Sequence, residues 1–97
     1  MDLIKEVELW YLSHCDGDWE HGHGIKLQTL DNPGWRLKIY LIDTELESRP
    51  FQRLEAERDE NDWFHCWVKE GFFEAACGPQ NLEEVLGIFV EWSKKNG

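Results

Sequence analysis

The polar, glycine-rich segment 15–24 contains residue types that bind ligands and partners. It places three acids, two histidines and one cysteine between glycines rather than along one helical face, namely Cys15, Asp16, Asp18, Glu20, His21 and His23. Loops of this composition serve recognition or chemistry better than core packing. A second polar turn begins eight residues after His23 and contains Asp31, Asn32, Pro33 and Gly34, followed by Trp35. We expect the two segments to lie on one small surface.

Calcium binding is the first chemistry that the acidic residues suggest. Asp16, Asp18 and Glu20 alternate as the first ligands of an EF-hand loop do. The sixth position of that loop requires glycine and the twelfth requires an acid, but these positions are His21 and Leu27. The pattern therefore favours an acidic loop that is solvated or held by backbone N–H groups.

Zinc binding is the second possibility, because Cys15, His21 and His23 are three suitable donors. Folding could add His14 or His65 as a fourth ligand. The spacing matches none of the compact zinc-finger or zinc-ribbon patterns. A metal-binding enzyme or regulator that uses Cys15, His21 and His23 stays open as the alternative function.

Hydrolysis is the third possibility, with Cys15 as the nucleophile and His21 or His65 as the base. The sequence contains no Gly-x-Ser/Cys-x-Gly elbow. Neighbouring acids also raise the pKa of a thiol, which opposes formation of the nucleophilic thiolate. We predict that the protein is not an enzyme, with no catalytic residues and no cofactor.

Composition limits the kinds of partner. Twenty acidic and ten basic side chains give a formal net charge of −10, which argues against nucleic acid or an anionic membrane as the partner and favours a basic protein. The three cysteines form no C-x-x-C pair, and no apolar run resembles a signal peptide or a membrane span. These features predict reduced thiols in the cytoplasm. At 97 residues, the chain is expected to be one domain over residues 1–97.

Hydrophobic periodicity predicts the elements that must position these residues. Apolar side chains at helical spacing indicate an amphipathic helix over residues 2–14, and period-two alternation indicates a hairpin of two strands that starts at Ile25 and turns at 31–34. In that turn Pro33 fixes φ and Gly34 permits a positive φ. Three further strands are predicted at 51–59, 63–69 and 72–77, separated by turn-forming residues.

A C-terminal helix follows Pro79, with Asn81 as its N-cap, Glu84 three residues later and an apolar stripe up to Trp92. Strands bracketed by one helix at each end predict an α+β fold. We expect an antiparallel meander of about five strands, with the N-terminal and C-terminal helices packed on one face.

Several of these strings resemble the immunity protein 53 family of bacterial polymorphic toxin systems. They are Trp10-Tyr11, the run from Cys15 to His21, the run from Thr29 to Trp35, Asp62-Trp63, Asn81-Leu82 and Phe89. The resemblance spans nearly the whole chain. It implies a cytoplasmic, antitoxin-like inhibitor that binds and neutralises a cognate toxin domain.

Nucleases are common toxin domains, and a nuclease presents a basic groove that an acidic loop could occupy. We therefore expect polar partner contacts from Asp16, Asp18, Glu20 and His21, with Trp19 as either an exposed anchor or a core residue. Asp31 and Asn32 are expected to contribute as neighbours or to cap their turn. A second acidic run at 55–62 is more simply a solvated edge strand. An adaptor that docks another basic protein is a further possibility.

Overall fold

The computed structural model describes residues 2–95, and their elements confirm the predicted α+β class. Two helices flank five strands, and one short 3-10 turn, Trp19–His21, precedes the first strand. The elements are α1 (Leu3–His14), β1 (Ile25–Leu30), β2 (Gly34–Tyr40), β3 (Leu54–Asp59), β4 (Asp62–Lys69), β5 (Phe72–Cys77) and α2 (Leu82–Lys94). Neither helix is long and apolar enough to cross a membrane.

The five strands form one open antiparallel sheet in the order β1-β2-β5-β4-β3. This order departs from a consecutive meander at one point, because β5 lies between β2 and β4. The connection 41–53 consequently carries the chain to the far edge before β3 begins. Burial explains the order, since β5 is mostly buried whereas the charged β3 is almost entirely exposed.

Both helices pack on the same face of the sheet, as predicted. Leu37 and Ile39 of β2 and Phe73 of β5 form the sheet side of the core, and Val85 and Phe89 contribute from α2. None of these five side chains is more than 2% exposed. α1 contributes only partly buried residues to this core, and it packs on α2.

Asn81 precedes α2 as predicted, but its side chain does not cap the helix backbone. Its amide nitrogen donates to Asp62 Oδ1 at 2.9 Å and to Glu84 Oε1 at 3.0 Å, and its oxygen accepts from the Trp63 N–H at 3.1 Å. Asn81 is only 3% exposed. Because the Asn81 oxygen accepts from β4 and not from the first N–H groups of α2, this residue forms a buried link between the start of α2 and β4 in place of the predicted capping box.

Candidate functional site

The acidic segment 15–24 joins α1 to β1, and two of its carboxylates hold its own backbone. Asp16 Oδ1 accepts from the N–H groups of Asp18 at 2.9 Å and Trp19 at 3.0 Å. Glu20 accepts from the N–H groups of Asp16 at 2.9 Å and Gly17 at 2.8 Å. The segment is therefore an acidic loop held by backbone N–H groups, which was the simpler of the two sequence interpretations.

These hydrogen bonds favour the ionised carboxylates. The N–H of Trp19, followed by that of Asp18, lowers the pKa of Asp16 below its ordinary value. The backbone N–H of Glu20 itself, then those of Asp16 and Gly17, lower the pKa of Glu20. Asp18 and His21 are exposed on the same loop. Asp16 and Glu20 thus keep the loop folded, while Asp18 and His21 present their side chains to solvent.

Trp19 is a core anchor rather than an exposed anchor. Its side chain is 6% exposed, and its indole nitrogen donates to the Ile42 carbonyl oxygen at 3.0 Å. Its ring lies 5.7 Å from Trp10 and 5.8 Å from Tyr11, measured between centroids. Any influence of Trp19 on a partner must therefore act through the shape of the loop.

Asp31 and Asn32 are exposed in the turn between β1 and β2. Segment 15–24 precedes β1 and this turn follows it, so the two segments lie at opposite ends of a six-residue strand. Six residues at roughly 3.3 Å each separate them by about 20 Å. The expectation of one small shared surface is wrong, because β1 carries the chain away from the acidic loop before it turns.

Gly34 is required for a reason that the turn pattern did not reveal. In the described chain the glycines with positive φ are Gly17, Gly24 and Gly71. Gly34 is different, because a Cβ there would lie 2.2 Å from the Cys77 carbonyl oxygen. The close approach of β2 to the end of β5, rather than a positive φ, excludes a side chain at this position.

The possible metal ligands are directed to different neighbours. Cys15 Sγ donates to the Tyr11 carbonyl oxygen at 3.3 Å, and the His23 ring lies 4.7 Å from that of Tyr40. His14 Nε2 pairs with Glu45 at 2.7 Å. Residues 2–95 contain no group of three His, Cys, Asp or Glu side chains arranged to hold a metal. Folding therefore does not assemble the alternative site proposed from Cys15, His21 and His23.

The face of the sheet opposite the helices forms a further surface, which we call the open face. Alternation along the strands brings side chains of all five strands to this face. They include Lys26, Gln28, Arg36, Lys38, Tyr40, Glu55, Glu57, Trp63, His65, Trp67, Lys69, Phe72 and Glu74. The aromatic members are half-buried.

Charge is unevenly distributed across the open face. Arg36 pairs with Glu74, and its guanidinium carbon lies 5.0 Å from the centroid of Trp67. Lys38 Nζ lies 4.4 Å from the centroid of Phe72. β1 and β2 therefore contribute only basic charges to this face, whereas at the other edge Glu55 and Glu57 lie on β3 and Arg53 pairs with Glu55 at 3.1 Å. The aromatic side chains between these two regions were not predicted as a group, because strand order decides which alternating residues become neighbours.

A surface with an aromatic centre and a charged rim is typical of a protein-binding domain. The class is defined further by comparison with known families. The model of the family described as immunity protein 53 matches residues 4–94, and the chain belongs to this family. Comparisons with curated proteins and with solved structures found no match. Family membership supports an immunity function, which implies binding of a cognate toxin.

Proposed function

We propose that this protein neutralises a nuclease toxin domain by covering the toxin's basic substrate groove with acidic surface. The observation that carries the proposal is the formal charge of −10 on a chain of the immunity protein 53 family. A nuclease must hold phosphates with basic side chains, so an acidic inhibitor is its electrostatic complement. The proposed action is binding rather than catalysis, in the cytoplasm of the cell that is protected.

The proposed contact surface includes the exposed residues at both ends of β1. Asp18 and His21 lie at one end and Asp31 and Asn32 at the other. A standard interface takes about 800 Å² from each partner, a patch roughly 30 Å across. One toxin domain lying along the sheet is therefore wide enough to contact both ends. In this arrangement Asp16, Trp19 and Glu20 position the loop.

The acidic surplus would act most strongly on the rate of association. Opposed charges raise association rate constants toward about 10⁸–10⁹ M⁻¹s⁻¹ at low salt, and the gain falls steeply with ionic strength. Exposed carboxylates such as Asp18 and Asp31 would attract the basic groove before close contact. Close charge pairs in the docked complex would then slow dissociation.

The first test is co-expression of the full chain with the toxin domain encoded beside it, scoring cell survival and co-purification. Survival with a stable complex supports the proposal. If the cells die although the immunity protein is folded, and no complex co-purifies, that toxin is not the target. The nuclease assignment is tested separately by nucleic-acid cleavage with the purified toxin, which should stop when one equivalent of the immunity protein is added.

The contact surface is tested by charge reversal. Asp18→Lys/Asp31→Lys and the control Glu83→Lys/Glu91→Lys each change the net charge from −10 to −6, and all four residues are exposed. We expect the first variant to slow association with the toxin by about tenfold or more and to flatten its salt dependence, with a much smaller effect of the α2 control. Equal slowing in both variants would show that only net charge matters and would exclude this surface as the site.

A further inference from the structure

The two edges of the sheet differ in how they are protected from pairing with another strand. Edge β3 exposes Glu55, Glu57 and Asp59, and its register is interrupted between Glu57 and Asp59. Charges and bulges of this kind block edge-to-edge association. Edge β1 has one charged residue, Lys26, and pairs with β2 without interruption. The β1 edge is therefore suited to accept a further strand.

The hydrogen-bonding groups of β1 that face outward can be assigned from one bond. The Tyr40 N–H donates to the Gly24 carbonyl oxygen at 2.9 Å, and Gly24 precedes β1 in the same register. Bonded and non-bonded positions alternate along an antiparallel pair. The backbone N–H and C=O groups of Lys26 and Gln28 therefore bond to β2. Those of Ile25, Leu27 and Thr29 point away from the sheet.

An apolar groove lies beside this edge. It has a volume of about 340 Å³ and is lined mainly by Ile4, Val7 and Tyr11 of α1 and by Ile25 and Leu27 of β1. Three of the six large apolar side chains that are exposed among residues 2–95 line this groove, namely Ile4, Tyr11 and Leu27. Ile4 is 56% exposed and Leu27 is 47% exposed. Exposed apolar side chains concentrated at one place mark an interaction surface.

We propose that β1 pairs antiparallel with the β1 of a second copy of this chain, about a twofold axis at Leu27, to give a continuous ten-stranded sheet. This register places Leu27 opposite Leu27 on the helix side, Lys26 opposite Gln28, and Ile25 opposite Thr29. All three outward-facing residues then form pairs that exchange N–H···O bonds. The surface is self-complementary, as a twofold interface requires, and no like charges lie directly opposite each other.

The corresponding pairing of β3 would be unfavourable. A twofold axis at Glu57 would place two Glu57 carboxylates opposite each other, and three of the six residues of that strand are acidic. The chain's negative charge opposes close approach in general, but β1 itself carries only Lys26. The dimer therefore forms where the charge of the chain is lowest at a sheet edge.

The expected affinity is modest. A strand about 20 Å long with flanking α1 side chains buries on the order of 1,200 Å² in total, the low end of specific interfaces. Because weak and transient complexes lie at this end of the size range, we expect a dissociation constant in the micromolar range. The dimer should accordingly appear as the protein concentration rises from about 1 to 200 μM.

Sedimentation velocity over that range tests the proposal. The wild-type chain should approach twice the 11.5 kDa mass of one chain. Leu27→Glu should remain monomeric throughout, because it introduces two opposed carboxylates at the twofold axis. Leu54→Glu is the matched control, since Leu54 is 42% exposed on the other edge strand, and it should dimerise like the wild type. A wild-type chain that stays monomeric at 200 μM, or equal loss of dimer in both variants, would overturn the proposal.

Cysteine cross-linking tests the register in a Cys15→Ser background, in which the remaining native thiols are buried. A bonded antiparallel pair has Cα atoms about 5.5 Å apart, within disulfide range. Leu27→Cys should therefore form a covalent dimer on mild oxidation, whereas Thr29→Cys should not, because its partner is Ile25. A Thr29→Cys dimer without a Leu27→Cys dimer would overturn pairing about Leu27. Neither experiment requires the toxin, so its outcome is independent of the proposed function.

Discussion

The Trp19 indole nitrogen donates a hydrogen bond to the Ile42 carbonyl oxygen, 23 residues away, at 3.0 Å. This bond joins the acidic loop to the connection that leaves β2. The same ring contacts Trp10 and Tyr11 of α1. One side chain therefore links the loop, the first helix and the connection after β2, so the loop's conformation is coupled to the stability of the domain.

Replacement of Trp19 should consequently destabilise the whole domain. Trp19→Ala is expected to lower the free energy of unfolding by about 3–5 kcal/mol, because it removes a buried indole. Trp19→Phe should cost less, about 1–3 kcal/mol, since it leaves the Ile42 carbonyl without its donor. His21→Ala, at an exposed position of the same 3-10 turn, should change stability by less than about 0.5 kcal/mol. Urea unfolding measures all three, and a Trp19→Ala variant as stable as His21→Ala would contradict the anchoring role.

The carboxylates of Asp16 and Glu20 should make the free energy of unfolding decrease as the pH falls into the acidic range. Their backbone hydrogen bonds lower both folded-state pKa values below unfolded values of about 3.9 and 4.3. The stabilisation is therefore fully present above about pH 5 and is lost as pH falls through the folded values. Asp16→Asn/Glu20→Gln should be less stable at pH 7 and show a shallower loss of stability from pH 5 to 3.

Thermal unfolding across this pH range provides the measurement. Asp18→Asn/Asp31→Asn is the control, because it makes the same change of net charge without removing the loop's backbone hydrogen bonds. The melting temperature of this control should fall more steeply between pH 5 and 3 than that of the Asp16→Asn/Glu20→Gln variant. If the melting temperatures of both variants fall equally with pH, the backbone hydrogen bonds of Asp16 and Glu20 are not coupled to protonation.

Gly34→Ala should be strongly unfavourable. The added Cβ would meet the Cys77 carbonyl oxygen at 2.2 Å, so β2 or β5 would have to move. We expect a loss of about 2–3 kcal/mol in unfolding free energy. Gly22→Ala is the matched control, since its nearest atom would be 3.6 Å away, and it should cost less than about 1 kcal/mol. Equal effects at the two glycines, measured by chemical unfolding, would contradict the steric explanation.

The three thiols should differ in reactivity. Burial raises the pKa of Cys66 to about 12 and that of Cys77 to about 11, so little nucleophilic thiolate is present at pH 8. Cys15 is only partly buried. A thiol reagent should modify one thiol, that of Cys15, rapidly in the native protein and all three thiols in denaturant. In the Cys15→Ser variant no thiol should react rapidly under native conditions, and rapid labelling of Cys66 or Cys77 in that variant would contradict the prediction.

The most predictable elements were those whose apolar residues repeat locally. β5 has its predicted bounds of 72–77, and α2 begins after Asn81 as expected. β3 begins three residues later than predicted, because Phe51 packs against the core from the preceding connection. Asn81 was recognised at the start of α2, but its bonds to Asp62 and Trp63 could not be predicted. Those bonds join residues that only the packing of α2 against β4 brings together.

The sequence by itself determined the α+β class, the helix and strand periods, the family resemblance and the acidic character of the surface. These properties follow from composition and from side-chain patterns within a few residues, which act before distant contacts form. Only the tertiary structure decided that Trp19 is buried, that the acidic loop and the Asp31 turn lie at opposite ends of β1, and that β5 separates β2 from β4. Strand order, burial and the exposed edge depend on contacts between residues far apart in the chain, and local periodicity carries no information about which distant strands become neighbours.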